Sequence, residues 1–157
     1  DVLQVNAFHE GLREAMARTL YEIAGRCDGI RCDMAMLMMN NIFERTWAPQ
    51  AGARPVADYW PEVIQAVKRK YPDFLFMAEA YWDLEWELQQ QGFDFTYDKR
   101  LYDRLREGHA RPVREHLYAG LDYQGKLARF LENHDEPRAA AILNAASEES
   151  TVWYEPS

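Results

Sequence analysis

The chain has 157 residues and a net charge of −8, with 48% hydrophobic and 28% charged residues. This balance excludes a disordered chain and is typical of one globular domain with a substantial core. The acidic charge also argues against a nucleic-acid partner, because the phosphate backbone would repel it.

The sequence contains no membrane segment and no secretion signal. The longest purely apolar run, Met34 to Met39, is far shorter than the roughly 18 residues that a membrane helix needs. No basic stretch is followed by an apolar stretch, as a signal peptide requires. We therefore expect no membrane partner and favour a cytoplasmic location. The start at Asp1 rather than Met fits either a removed leader or a piece of a longer chain.

Helical and strand patterns alternate along the chain. An apolar stripe at helical spacing, for example, marks the first helix. In chain order we predict a helix over Glu10–Arg26, a strand over Gly29–Met36, an irregular segment over Asn40–Ala53, a helix marked by Trp60, Ile64 and Val67, a strand over Phe74–Ala78, a helix over Leu84–Gln91, a strand over Phe93–Tyr97, helices over Lys99–Glu107 and Val113–Ala119, a strand over Leu127–Glu132 and a helix over Ala139–Ala146.

This alternation predicts an α/β fold with a parallel sheet and helical crossovers. Two architectures fit it, a doubly wound sheet and part of a (β/α)8 barrel. The absence of a G-x-G-x-x-G or P-loop motif weakens the nucleotide-binding form of the first. The two cysteines, Cys27 and Cys32, lie about 16 Å apart in an extended segment, which is too far for a disulfide, so both are expected to be free.

Carboxylates lie near the ends of three predicted strands: Asp33 within the last residues of the first, Glu79 directly after the second, and Asp135 three residues after the last. Arg31 lies on the same face as Asp33 because side chains alternate along a strand. A single carboxylate in such a position is more often a helix cap or a solvated loop residue. Three of them at the ends where parallel strands carry their chemistry, together with an arginine, favour a functional site.

The segments that hold these residues resemble motifs of a known family. Asp28-Gly-Ile-Arg-Cys-Asp33 resembles the G-x-R-x-D motif of the α-amylase family, glycoside hydrolase family 13. Phe76-Met-Ala-Glu79 is similar to its fifth-strand motif, and Asn133-His-Asp135 to its N-H-D motif. The resemblance implies a partial (β/α)8 barrel over residues 1–146, with about four parallel strands that correspond to the fourth to seventh of the family barrel, followed by a polar tail over 147–157.

The resemblance also implies roles for individual residues. Asp33 matches the nucleophile, Glu79 the general acid/base, and Asp135 the third carboxylate, which binds sugar hydroxyls and supports the transition state. Arg31 matches the arginine that orients the nucleophile and keeps it ionised. A retaining glycosidase needs such a pair, one carboxylate for attack and one carboxylic acid for the leaving oxygen.

Further residues are expected to bind the substrate. His134 matches a histidine that contacts the sugar, and Asn133 belongs to the same motif. Trp82 follows the strand that ends at Glu79 and is the best candidate for a platform on which a sugar ring stacks. Trp47 is a weaker candidate in the segment after Asp33, and Trp60 is expected to be a core residue because it fits a helical stripe.

Parts of the family pattern are missing from this chain. A complete barrel takes roughly 250 residues. Because the motifs resemble those of the fourth to seventh strands, we expect the first three strands and the eighth to be missing from this chain. The family's D-x-x-x-N-H motif, which in many members supplies an asparagine to a structural calcium, is also absent. We therefore predict no cofactor and no metal, although calcium occurs in the family. Two chains that supply eight strands offer one way to complete the barrel as a homodimer.

The sequence thus favours a retaining glycoside hydrolase or transglycosylase that acts on the α-glucosidic bonds of α-glucans or maltooligosaccharides. The alternative is a catalytically inactive half-barrel that assembles with a second copy or only binds sugar. A metal-dependent barrel enzyme that uses the same carboxylates is a weaker interpretation, because Arg31 would repel a cation.

Overall fold

The computed structural model describes residues 3–139. By internal packing the chain divides into a first compact unit that ends at Tyr97 and a second that begins at Asp98. The single barrel domain over 1–146 and the tail over 147–157 stay predictions. The predicted helix over Ala139–Ala146 lies, apart from Ala139 itself, outside the described residues.

The first unit alternates helices and strands. Its elements are α1 (Glu10–Ala24), β1 (Gly29–Cys32), a short 3-10 helix (Ala35–Met38), α2 (Asn40–Ala51), α3 (Tyr59–Lys68), β2 (Leu75–Ala78), α4 (Glu85–Gln90) and β3 (Phe95–Tyr97). The second unit contains α5 (Lys99–Glu107), α6 (Ala110–Leu117), α7 (Leu121–Gln124) and β4 (Leu127–Ala128).

The strands of the first unit form a parallel sheet in the order β1-β2-β3. Gly29 pairs with Leu75 and Cys32 with Ala78, so β1 and β2 end side by side. Each strand lies beside the next in sequence after a helical crossover, without the reversal of order that marks a doubly wound sheet. With β4, the described residues hold the four predicted strands. The predicted fold class, an α/β partial (β/α)8 barrel, is confirmed.

The core of the first unit lies between the sheet and its helices. Phe76 and Ala78 of β2 are fully buried. The buried face of α3 belongs to the same core cluster, with Tyr59, Trp60, Val63, Ile64 and Val67. Trp60 meets the ring of Phe93 edge-on at 4.8 Å between centroids, and its indole N–H donates to the carbonyl of Ala35 at 2.7 Å. The prediction that Trp60 is a core residue is confirmed. The burial of each such aromatic side chain stabilises the folded chain by roughly 1.5–3 kcal/mol.

The prediction of an irregular segment over Asn40–Ala53 is wrong, because the chain forms α2 there. Pro49 lies in the last turn of this helix, so it removes one backbone donor only near the C-terminal end of α2. Packing then stabilises the helix. Asn40 donates to the carbonyls of Pro55 and Ala57 and is fully buried, and Phe43 is also buried in the core.

Two predicted strands are shorter in the structure. The strand predicted over Gly29–Met36 ends at Cys32, because Met34 adopts a left-handed backbone conformation and the next residues form the 3-10 helix. The strand predicted over Leu127–Glu132 ends at Ala128. The short helix α7 was not predicted.

Two further observations concern the cysteines and the lengths of the helices. Cys27 is exposed, Cys32 is buried on β1, and both thiols are free, as predicted. Within residues 3–139, every helix is too short or too polar to cross a membrane.

In the second unit, α5 begins at a buried acidic residue. Asp98 accepts the backbone N–H of Leu101 at 3.1 Å and caps the helix. The same carboxylate contacts His116 Nε2 at 2.9 Å and Arg129 Nε at 3.2 Å. Asp98 and His116 are almost fully buried. The carboxylate therefore links α5, α6 and the segment after β4 through hydrogen bonds in the interior of this unit.

Candidate active site

Two carboxylates of the first unit lie next to each other because of the pairing between β1 and β2. The last paired residues are Cys32 and Ala78, and each is followed by an acidic residue, Asp33 and Glu79. The Glu79 N–H donates to the Cys32 carbonyl at 3.0 Å, which extends the hydrogen-bonding pattern into the site. The strand register therefore brings the predicted nucleophile and the predicted acid/base to the same edge of the sheet.

The guanidinium of Arg31 contacts both carboxylates. Its Nη1 lies 2.9 Å from Asp33 Oδ1, and its Nη2 lies 2.8 Å from Glu79 Oε1. Its third nitrogen, Nε, donates to the Tyr97 hydroxyl at 2.8 Å. Burial by itself lowers the pKa of Arg31, but the hydrogen bonds to Asp33 and Tyr97 and the charge of Glu79 raise it above its ordinary value. Arg31 therefore stays a cation and links three side chains.

The two carboxylates have different surroundings. Asp33 is largely exposed, with 74% of its side chain accessible, whereas only 3% of Glu79 is accessible. Glu79 Oε2 accepts the backbone N–H of Met34 at 2.7 Å, and the Tyr81 hydroxyl lies 3.3 Å from Oε1. Glu79 is held from several sides in a protein environment, while Asp33 faces water and any molecule bound there.

The predicted residues of the third motif form a cluster of their own in the second unit. His134 Nε2 lies 3.0 Å from Asp135 Oδ2, and the Asp135 N–H donates to Asn133 Oδ1 at 2.9 Å. Both His134 and Asp135 are substantially exposed. The structure thus groups Arg31, Asp33 and Glu79 within the first unit, and the other three residues within the second.

The loop that carries this cluster is held at its base. Glu132 accepts the backbone N–H of Ala139 at 2.7 Å and pairs with Arg138 at 2.8 Å. These contacts lower the pKa of Glu132, with the N–H of Ala139 the larger cause. Glu136, within the loop, lies 3.0 Å from Lys99 Nζ on α5. The two ends of the loop are therefore joined to each other, and Glu136 attaches the loop to α5.

The aromatic residues near Glu79 differ in exposure. Trp82 follows β2 and is 60% exposed, with a positive φ of 61° that Asp83 shares. Trp47 is partly buried and packs against the core from α2. An indole face at Trp82 is therefore open to a ligand, and Trp47 is less suited to that role.

Two residues of this site were not predicted from the sequence. Tyr97 ends β3 at the same edge of the sheet, a position that could have been recognised because the carboxylates also follow strand ends. Met34 contributes only its backbone N–H, and a methionine gives no signal of that role. Among residues 3–139, no group of three or more His, Cys, Asp or Glu side chains has the arrangement needed to hold a metal ion.

Comparison with solved structures relates this geometry to known proteins. The chain matches the crystal structure of an alpha-amylase from Lactobacillus plantarum with a TM-score of 0.59 and 25% identity, over 90% of this chain and 34% of that one. It matches a debranching enzyme from Nostoc punctiforme with a TM-score of 0.60 and 20% identity, over 93% of this chain and 33% of that one. No family model and no curated protein matches.

The fold and the carboxylates after the strands define the class of structure. The chain forms part of a parallel (β/α) barrel whose polar side chains lie at the C-terminal ends of the strands. More particularly, the chain resembles the α-amylase family, glycoside hydrolase family 13, over the central part of the catalytic barrel. It spans about a third of the length of the structures that it matches.

Proposed function

We propose that this chain carries the reactive carboxylates of a retaining glycoside hydrolase or transglycosylase that acts on α-glucosidic bonds of α-glucans or maltooligosaccharides. The observation that supports the proposal is the guanidinium of Arg31, which contacts Asp33 at 2.9 Å and Glu79 at 2.8 Å. A single guanidinium keeps two carboxylates a few ångströms apart, which is compatible with the separation of about 5–5.5 Å that the retaining mechanism requires.

In the first step Asp33 is the nucleophile and Glu79 the general acid. A carboxylate oxygen of Asp33 forms a bond to the anomeric carbon while the bond from that carbon to the glycosidic oxygen breaks. The electron pair of the broken bond stays on the glycosidic oxygen, which takes the proton of Glu79 and leaves as a sugar hydroxyl. The products are a glycosyl ester on Asp33 and an ionised Glu79.

In the second step Glu79 acts as a base. It takes a proton from water, or from the hydroxyl of another sugar, as that oxygen attacks the anomeric carbon. The ester bond to Asp33 breaks, its electron pair returns to the carboxylate, and Glu79 regains its proton. Water as the acceptor gives hydrolysis, and a sugar acceptor gives transglycosylation, with the same residues in both.

Residues of the third motif and one aromatic side chain are proposed to bind the substrate. Asp135 accepts hydrogen bonds from sugar hydroxyls and stabilises positive charge that develops at the anomeric carbon. His134 and Asn133 contact the sugar beside it. Trp82 offers its indole for stacking, because the residue is 60% exposed and follows the strand that leads to Glu79. We propose no cofactor.

The exposure of Asp33 favours a second candidate function. A nucleophile works best where water is excluded, yet 74% of this side chain is accessible. The chain would then be a catalytically inactive half-barrel that binds sugar or pairs with a second copy of itself. Light scattering separates these states, since a monomer of 18.4 kDa excludes closure by pairing and a mass twice as large supports it.

The proposed activity is tested by sugar release from maltooligosaccharides and starch. The wild-type chain is compared with Glu79→Gln and with Glu22→Gln, the same substitution at an exposed position on α1. We expect Glu79→Gln to lose release by at least about 100-fold, the smaller end of what general acid catalysis contributes, and Glu22→Gln to lose none. Equal release from Glu79→Gln and the wild type excludes the proposed role of Glu79.

A further inference from the structure

The turn that follows β1 contains a residue in an unusual backbone conformation. Met34 has φ 43° and ψ 45°. This left-handed region is common for glycine, is sometimes adopted by asparagine and aspartate, and is rare for other residues. The residue is neither a glycine nor the end of a long helix. A strained conformation that persists at such a position has to be held by its surroundings, and it is often part of a functional arrangement.

The left-handed turn directs two successive backbone N–H groups toward one residue. The N–H of Met34 donates to the Glu79 carboxylate at Oε2, at 2.7 Å. The N–H of Ala35 donates to the Glu79 backbone carbonyl at 3.1 Å. A left-handed residue followed by a helical one forms a small concavity of N–H groups that suits an anion. Extended backbone at position 34 would continue β1 and turn the second of these donors, the N–H of Ala35, away from Glu79.

The other groups that face the Glu79 carboxyl are side chains. Arg31 Nη2 lies 2.8 Å from Oε1, and the Tyr81 hydroxyl lies 3.3 Å from the same oxygen. Both of these contacts are to Oε1, whereas the backbone donor holds Oε2. The backbone N–H is therefore the contact that fixes the rotation of the carboxyl group, and this donor does not depend on the rotamer of the Met34 side chain.

We propose that Met34 is a positioning residue for Glu79. Its N–H holds one carboxyl oxygen of Glu79, and its left-handed conformation directs the N–H of Ala35 to the Glu79 backbone carbonyl, so that the residue is fixed at both ends and aligned for proton transfer to the leaving oxygen. This inference rests on the proposed function, in which Glu79 is the general acid/base. It predicts that disturbing the conformation of residue 34 impairs substrates with poor leaving groups, which depend on a proton donor, more than substrates whose leaving group needs none.

The first test compares three variants on two substrates. Met34→Val places a β-branched residue in the left-handed conformation and disfavours it, whereas Met34→Gly permits that conformation freely. Leu37→Val is the matched control, since the same branched side chain is introduced in the neighbouring 3-10 helix. Each is assayed by kcat/KM on a maltooligosaccharide and on α-glucosyl fluoride, whose fluoride leaves without a proton.

We expect Met34→Val to lose about tenfold on the maltooligosaccharide and less than about twofold on the fluoride, a part of the general acid contribution. Met34→Gly should lose less than Met34→Val on the maltooligosaccharide, and Leu37→Val should not separate the two substrates. Equal losses of Met34→Val on both substrates would mean that the turn serves folding only, and would overturn the inference.

The second test does not depend on activity. In a proton–nitrogen NMR correlation spectrum of the whole chain, the amide resonance of Met34 is followed through an acid titration, with Glu79→Gln as the control. An amide bonded to the carboxylate shifts as Glu79 takes up its proton, and the shift is absent in Glu79→Gln. A Met34 amide that does not respond overturns the inference. A responding amide in a chain that releases no sugar leaves the positioning of Glu79 intact and overturns the proposed activity instead.

Discussion

Replacement of Arg31, the cation that contacts both carboxylates, should show how much its ion pair with Glu79 contributes to the free energy of unfolding. Arg31→Met keeps an apolar stem of similar length but leaves Glu79, at 3% exposure, without its ion-pair partner. Breaking a buried ion pair on one side costs about 3–5 kcal/mol. Glu79 retains the N–H of Met34 and the hydroxyl of Tyr81, so we expect about 3 kcal/mol, the lower end of that range.

The contact with Asp33 should contribute much less. Its side chain is 74% exposed, and exposed ion pairs contribute only about 0–1 kcal/mol. The free energy of unfolding is measured by urea titration with far-UV circular dichroism as the signal. Arg31→Met combined with Glu79→Gln should recover most of the lost stability, because no buried charge is then left without a cation. Arg31→Met combined with Asp33→Asn should recover little.

A result in which Glu79→Gln restores nothing to Arg31→Met would refute this reasoning. It would mean that Arg31 stabilises the chain by packing alone. If Asp33→Asn restored as much stability to Arg31→Met as Glu79→Gln does, the argument from the different burial of Asp33 and Glu79 would be wrong.

Further predictions concern the strand that carries Arg31. Burial raises the pKa of the Cys32 thiol to about 12, so in the native chain at pH 8 a thiol reagent should modify Cys27 quickly and Cys32 only after unfolding. The pKa of Cys32 in the folded chain lies above its ordinary value of 9.0, so the contribution of the neutral thiol to the free energy of unfolding is complete below pH 9 and is lost as the pH rises toward 12. Urea titrations at several pH values should show this fall, and the fall should be smaller in Cys32→Ala. A Cβ added at Gly29 would lie 2.8 Å from the carbonyl oxygen of Leu75, so Gly29→Ala should lower the free energy of unfolding by about 1–3 kcal/mol in the same titration. Gly120→Ala is its control, since nothing lies within 4 Å of the added atom; equal losses from both alanines would show that the strand contact is unimportant.

The sequence predicts best those elements that are marked by local chemistry. The helix predicted over Lys99–Glu107 has the same bounds as α5. It begins after Asp98, whose side chain accepts the N–H of Leu101, and ends at Gly108 with a φ of 75° that suits glycine. Both signals lie within the helix or next to it, so no knowledge of the tertiary structure is needed.

Elements that depend on distant contacts were harder to predict. The helix α2 contains Pro49, a local signal against helix, and is secured by Asn40 and Phe43 through contacts with residues elsewhere in the unit. The end of β1 was placed too late because the apolar run continues past Asp33. Composition cannot distinguish a strand from a 3-10 helix when both are buried and rich in methionine.

The candidate site shows the same division. Alternation along one strand is enough to place Arg31 and Asp33 on one face. The contact between Arg31 and Glu79 depends on the register of β1 with β2, which no single segment specifies. The contribution of Met34 depends on a backbone conformation that is independent of its side-chain chemistry.

The residues around Glu79 come from the ends of only two neighbouring strands, which limits how much of the sequence this arrangement depends on. Arg31, Asp33 and Met34 follow one another at the end of β1, and Glu79 with Tyr81 comes directly after β2. Two segments of a few residues therefore contain the whole arrangement around Glu79. The contacts of the Glu79 carboxyl come from these two segments, and the helices of the unit contribute none of them. An arrangement set by so few residues is compatible with the 25% identity at which this chain matches an alpha-amylase structure.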